Sequence, residues 1–239
     1  MPRRDSLPFL QLLPNLVTIL GLCAGLTGIR FAIEGRFELA TGLLIFAAAV
    51  DGLDGLIARR LKATSDIGAE LDSLSDFLCF GVAPALLVYR FGLTGDAGIG
   101  WIFALMLAIC CCLRLARFNV NRDAPPDPGP ARFTGVPAPA GALLALLPVF
   151  LTFSGLIDLR NTPYLTSAWL ALVGLLMVSS LPTPSPKGLR IPRDKAVFVL
   201  VGMAILAGMM VSRFWQLMVI VSIAYLVVLV WSAVRWRKA

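Results

Sequence analysis

The chain has 239 residues, 58% of them hydrophobic and 15% charged, with a formal net charge of +7 and a mean hydropathy of +0.85. Soluble domains are about half apolar and a quarter charged, so this balance excludes a water-soluble core and a disordered chain alike. Positive charge on so apolar a chain reads as membrane topology, not nucleic-acid binding, and the absence of histidine excludes His-ligated zinc or haem and Ser-His-Asp triads.

A bilayer-spanning helix needs about 20 mostly apolar residues. In chain order, eight stretches qualify: Leu13–Ile33, Phe37–Ala58, Leu71–Tyr89, Ile99–Leu115, Val136–Gly155, Leu165–Leu181, Ala196–Val211 and Leu217–Val234. They predict an all-α, multi-pass membrane protein forming one domain over residues 1–239, with spans one to six within 13–181 and two more within 196–234. The first stretch is too long for a cleavable signal peptide and lacks a small-residue cleavage site. The polar stretch from Arg117 to Thr134, rich in Pro, Asp and Arg, reads as a loop. Cys23, Cys79, Cys110, Cys111 and Cys112 all lie in apolar stretches, which predicts buried, inert thiols.

An even number of spans puts both termini on one side. Sixteen of the 21 Lys and Arg residues fall on that side, and five (Arg30, Arg36, Arg90, Arg160 and Arg213) on the other. The positive-inside bias therefore places both termini, and the loops after spans two, four and six, in the cytoplasm. The same charges suit anionic lipid headgroups.

Four carboxylates break the apolar pattern. Asp51 and Asp54 lie near the end of span two, and Asp72 and Asp76 in the first turns of span three. Ionisable groups at membrane depth are costly and mark function by default. At about 100° per residue, Asp51, Asp54, Gly55, Ala58 and Arg59 share one helix face. Gly68, Asp72 and Asp76 share a face of the next helix if that helix starts by about residue 68. The short connection makes the two helices antiparallel neighbours, so the acidic faces meet at the cytoplasmic end. Four like charges in one place require compensation. An all-oxygen donor set favours Mg²⁺ or Mn²⁺ over Zn²⁺, and two such cations would clamp a phosphoryl or pyrophosphate group. Gly55 and Gly68 leave room for a ligand, Ala58 keeps the face low, Arg59 offers positive charge to phosphate oxygens and Ser65 a hydroxyl. Taken singly, the glycines are common helix-packing residues and Arg59 is one more positive-inside charge. Asp66 and Glu70 read as solvated loop and cap residues.

Residues 51–76 thus run Asp51-Gly-Leu-Asp54-Gly55-Leu-Ile-Ala58-Arg59, eight residues, Gly68, three, Asp72, three, Asp76. This pattern resembles, without departure, the signature of the CDP-alcohol phosphotransferases, membrane enzymes that displace CMP from a CDP-linked lipid or alcohol with an alcohol acceptor. The resemblance implies that Asp51, Asp54, Asp72 and Asp76 hold two divalent cations, Mg²⁺ or Mn²⁺. It also implies that Asp76 takes the acceptor's proton, and that Gly55, Arg59 and Ser65, with Ala58 and Gly68, line the CDP-diacylglycerol site. Pro14-Asn15-Leu-Val-Thr18 resembles the family's first span, which implies that Asn15 and Thr18 lie beside the nucleotide.

The stretches Asp72-Ser-Leu-Ser-Asp76-Phe-Leu-Cys-Phe-Gly81-Val-Ala-Pro84-Ala, Leu113-Arg114-Leu-Ala-Arg117-Phe-Asn119-Val and Phe133-Thr-Gly135-Val-Pro137-Ala-Pro139-Ala are similar to those of membrane-embedded bacterial phosphatidylserine synthases within that family. This similarity implies CDP-diacylglycerol and L-serine as substrates, CMP as leaving group, a place in the inner (cytoplasmic) membrane among its phospholipids, and an active site at the cytoplasmic face. Homodimers are common in the family, which implies a second copy as partner. A guanidinium pair suits a serine carboxylate, so Arg114 and Arg117, with Asn119, are the candidate acceptor contacts. As plain positive-inside residues, the two arginines would need no such role.

Two rival functions remain. A sister enzyme would use glycerol 3-phosphate, inositol phosphate or choline, and the aspartate motif does not separate these acceptors. A metal- or proton-coupled transporter also carries intramembrane aspartates, but here they gather at one membrane face and no inverted repeat is visible.

The orientation is testable by labelling single cysteines in a chain whose native cysteines are replaced. Arg122→Cys should react only with reagent on the cytoplasmic side and Arg160→Cys only on the opposite side. Labelling of position 122 from outside reverses the assignment.

Overall fold

The computed structural model describes residues 9–61, 65–95, 98–122, 132–184 and 196–236. The side chains of Ala58 and Arg59, and most of the Pro-rich loop, lie outside the described residues. Helices α1 (Phe9–Ile33) and α2 (Phe37–Leu61) form an antiparallel pair. A third rod follows over 66–93. It consists of α3 (Asp66–Asp76), a π-helical segment Phe77–Val82, α4 (Ala83–Val88) and a second π-helical segment Tyr89–Leu93. Next come α5 (Ile99–Arg122), β1 (Arg132–Thr134), α6 (Ala138–Ala145), α7 (Leu147–Phe153), α8 (Pro163–Val178), β2 (Pro182–Pro184), α9 (Ala196–Ser212) and α10 (Phe214–Trp236). The fold is that of an all-α polytopic membrane protein. Its only strands among the described residues are β1 and β2, an antiparallel three-residue ladder with Phe133 opposite Thr183.

Among the described residues, five helical stretches are long and apolar enough to cross a bilayer: Leu13–Ile33, Phe37–Ile57, Asp66–Leu93, Ile99–Val120 and Phe214–Val234. The other predicted spans fall on shorter helices. Residues 136–155 do not form one rod, because the chain breaks at Leu146, two residues before Pro148. Proline lacks the N–H that would continue the ladder, and its ring crowds the preceding turn. Helix α5 continues two turns past the predicted end at Leu115, so residues 117–122 are helical and not part of a loop. Of the cysteines, Cys79, Cys110 and Cys111 are buried as predicted. Cys23 and Cys112 are exposed, and all five are free thiols.

Small residues let the helices approach, which is how packing is gained where both lipid and helix faces are apolar. Gly21 and Gly28 of α1 lie against Val50 and Leu44 of α2. A methyl group on Gly25 would come within 2.6 Å of Cys79 Sγ, and one on Gly141 within 2.6 Å of Met177 Sδ. These contacts seat the third rod against α1, and α6 against α8.

Four turns gather at one end of the bundle. Arg90 Nη2 donates to Ile33 O at 3.2 Å, Phe91 meets Phe37 edge-on, Arg160 lies over the Phe91 ring, and Trp215 packs on Phe153. Arg30, Arg36, Arg90, Arg160 and Arg213 all lie in or beside these turns, in a belt of aromatic rings of the kind found at membrane interfaces.

At the other end, the segment before α6 is tied to the C-terminus of α8. Gly135 N donates to Leu181 O at 2.9 Å and Val136 N to Leu176 O at 3.2 Å. Arg117 Nη1 and Nη2 donate to Val178 O and Ser179 O at 3.1 and 3.2 Å, so a cation satisfies the last carbonyls of that helix. Gly135 has φ +80°, and a methyl group there would lie 2.6 Å from Met177 O. Gly155 has a similar φ of +74° with nothing within 4 Å. Gly135→Ala should therefore cost at least about 2 kcal/mol, combining backbone strain and a clash with backbone, whereas Gly155→Ala should cost about 1 kcal/mol. Thermal unfolding in detergent checks the difference. Equal shifts would refute a tight junction at residue 135.

Candidate active site

The site lies at the end of the bundle opposite the arginine-rich turns. The aspartates reach it because α2 ends at Leu61 and α3 restarts in the opposite direction at Asp66. Ser65 caps α3 by accepting a hydrogen bond from Gly68 N at 3.0 Å, which satisfies one of the orphan donors of the first turn. The cap starts the helix early enough for Gly68, Asp72 and Asp76 to share a face, as their spacing requires.

Carboxylate oxygens of Asp51, Asp72 and Asp76 lie within 4.8 Å of one another. All three residues are partly buried. Asp51 and Asp76 are in direct side-chain contact, and Asp76 Oδ1 is buried without a hydrogen-bond partner. Such an arrangement is unfavourable without a proton or a cation between the oxygens. The orphaned oxygen and the all-carboxylate donor set fit a hard divalent cation.

Asp54 is placed differently. It is 3% exposed, and its Oδ2 accepts a 2.7 Å hydrogen bond from Thr18 Oγ1. Thr18 is thereby tied to Asp54, one of the four motif aspartates. Its neighbour Asn15 is brought to Gly68, where a methyl group would lie 2.6 Å from Asn15 Oδ1 and 3.0 Å from Ser65 Oγ. Helix α1 thus supplies a polar edge, through Asn15 and Thr18, to the face carried by α2 and α3. Gly55 is half-buried one turn beyond Asp51 on α2. Asp66 and Glu70 are exposed, in keeping with solvated positions.

The three candidate acceptor contacts do not stay together. Arg117 binds the end of α8, and Asn119 Nδ2 donates to Ser73 Oγ at 3.0 Å, linking α5 to α3. Arg114 lies within electrostatic range of Asp76. It lies two turns inside α5 rather than at its end, with Nε buried and unpartnered. Tyr225 of α10, which sequence reasoning passed over, lies within electrostatic range of Arg114. The phenolic hydroxyl in the middle of an apolar span was the available signal, since a membrane-buried hydroxyl needs a partner.

A sequence model described as CDP-alcohol phosphatidyltransferase matches residues 11–181. The CDP-diacylglycerol–serine O-phosphatidyltransferase of Mycobacterium tuberculosis is 38% identical over 221 residues, covering 91% of this chain and 76% of that protein. The protein of the same name from Helicobacter pylori is 35% identical over 192 residues, 80% of this chain and 79% of its own. That from Methanocaldococcus jannaschii is 38% identical over 168 residues, 70% of this chain and 71% of its own. With most of its length matched by that model and by these relatives, the chain belongs to the CDP-alcohol phosphatidyltransferase family.

Proposed function

We propose that the protein transfers the phosphatidyl group of CDP-diacylglycerol to the hydroxyl of L-serine, releasing CMP and forming phosphatidylserine. The observation that carries this reading is the convergence of Asp51, Asp72 and Asp76 in a chain whose relatives from M. tuberculosis, H. pylori and M. jannaschii are named for that reaction. An apolar groove of about 360 Å³ begins at Phe77, next to Asp76, and continues between α4 and α5 past Leu86, Trp101, Leu105 and Ile109. It has the chemistry an acyl chain needs, which supports a lipid-linked donor.

In this reading Asp51, Asp54, Asp72 and Asp76 hold two divalent cations, Mg²⁺ or Mn²⁺. When bound, the cations neutralise the pyrophosphate and make its phosphorus easier to attack. Thr18 fixes the orientation of Asp54 by holding Oδ2, an outer contact of the kind that tunes such sites. Asn15, Gly55, Ala58, Arg59, Ser65 and Gly68 form the bed for the CDP group, with the missing side chain at Gly68 leaving Asn15 and Ser65 accessible. The serine oxygen attacks the phosphorus that bears diacylglycerol. As that P–O bond forms, the P–O bond to the CMP phosphate breaks and CMP leaves. The hydroxyl proton passes to Asp76, whose Oδ1 has no competing partner.

The cytoplasmic face of the inner membrane, eight spans and a homodimer belong to the same reading. The segregation of five arginines at the end away from the aspartates supports the orientation, because the positive-inside bias makes an end with so few of the 21 basic residues the outer one.

Two expectations follow for the cations. Asp72→Asn should lower turnover by more than about 100-fold, since losing even an outer contact costs about 10–100-fold. Thr18→Val should retain activity but raise the cation concentration for half-maximal rate by about 10-fold or more. Cation titration of CMP release measures both, and near-normal release by Asp72→Asn would sink the assignment.

For the acceptor, purified protein should release CMP from CDP-diacylglycerol only when an alcohol is added. Labelled serine should enter lipid faster than glycerol 3-phosphate, inositol phosphate or choline. A better rate with another alcohol overturns serine while leaving the family intact.

A further inference from the structure

Among the described residues, five buried side-chain polar atoms have no hydrogen-bond partner, and three of them are Asp76 Oδ1, Arg114 Nε and Tyr225 Oη. Arg114 lies within electrostatic range of both Asp76 and Tyr225. They come from three helices, α3, α5 and α10. Trp215 holds the start of α10 at the arginine-rich end through Phe153, so α10 finishes at the catalytic end, as α5 does. Each of the three residues lies roughly 12–17 Å in from the catalytic end of its helix at 1.5 Å per residue. Buried polar groups are almost always paired, and a cluster of exceptions calls for a ligand that completes them.

The unmet groups are two donors and one acceptor. Serine offers their complement: a carboxylate for the donors and a hydroxyl proton for the acceptor, with only two carbons between hydroxyl oxygen and carboxylate. The other two sequence candidates for the carboxylate are engaged elsewhere, Arg117 with α8 and Asn119 with Ser73. Helix α10 also lies beyond residues 11–181, which carry the family match. What family members share is the CDP-linked donor; what distinguishes them is the acceptor. A contact supplied from outside the shared region therefore fits the acceptor side.

We propose that Tyr225 and Arg114 form the carboxylate end of the acceptor site. Tyr225 Oη and Arg114 Nε each donate a hydrogen bond to the carboxylate of the amino-acid acceptor, while its hydroxyl faces Asp76. This assignment rests on the reading of the acceptor as serine. It makes Tyr225 a specificity-determining residue.

The test is Tyr225→Phe, which removes one oxygen and keeps the ring. The KM for serine should rise roughly 10- to 100-fold, the effect of losing a hydrogen bond to a charged group. The kcat at saturating serine and the KM for CDP-diacylglycerol should each stay within about threefold. Ethanolamine, which is serine without its carboxylate, is the control acceptor. The wild-type preference for serine over ethanolamine should fall by the same factor as the serine KM rises. Arg114→Lys, which keeps the charge but loses Nε, should likewise raise the serine KM and lower the preference for serine over ethanolamine.

A raised KM for CDP-diacylglycerol with the serine KM unmoved would mean that the bound anion is the lipid phosphate, and would overturn the proposal. An equal loss with serine and ethanolamine would show a structural role and overturn it too, as would no change. If the wild type prefers glycerol 3-phosphate, the serine reading fails separately. An elevated KM for that acceptor in Tyr225→Phe would then still uphold Tyr225 as its anion donor, and an unchanged one would refute it.

Discussion

Asp51, Asp72 and Asp76 bring carboxylate oxygens within 4.8 Å of one another inside a bundle of apolar helices. Partial burial limits how far water can screen that repulsion, and lipid makes it worse. The rest of the site is arranged around the problem. Thr18 binds Asp54, Arg114 approaches Asp76 from α5, and the remaining oxygen of Asp76 is left open. A site so unfavourable alone is well suited to cations and to a substrate that carries a pyrophosphate, because each compensates the other's charge.

Holding four aspartates in place requires helices that cannot slide. Their grip comes from small residues. Gly25 admits Cys79 of the π-helical segment, and Gly81 in that segment lies close to Cys111 of α5. The π-helical turns begin at Phe77, directly after Asp76, so the helix widens at the point where the last aspartate must face α2 and α5 together. Such single-turn bulges are rare and concentrate at functional sites. The packing that places Asp76 is therefore local to the residues that follow it and depends on contacts with α1 and α5 at once.

The two ends of the bundle divide the work. At one end, aromatic rings and five arginines brace four turns against each other. At the other, polar residues from α1, α2, α3 and α5 face the carboxylates, while the β1–β2 ladder and Arg117 fasten the α6 junction to α8. Backbone pairing thus adds rigidity at the catalytic end.

How much was legible in the sequence follows from which signals act along one helix. Hydropathy marked the spans, because a bilayer requires long apolar runs. The spacing of Asp51 and Asp54, and of Gly68, Asp72 and Asp76, placed them on shared faces, because the helical period is set by the backbone alone. The break at Pro148 was open to the same reasoning and went unread. What only the tertiary structure decided was which side chains meet across helices: Thr18 with Asp54, Arg117 with the carbonyls of α8 and Asn119 with Ser73. In water, an amphipathic stripe tells which face of a helix turns inward. In a membrane both faces are apolar, so rotation and depth are settled by small-residue packing between helices, and one strand of sequence does not carry that information.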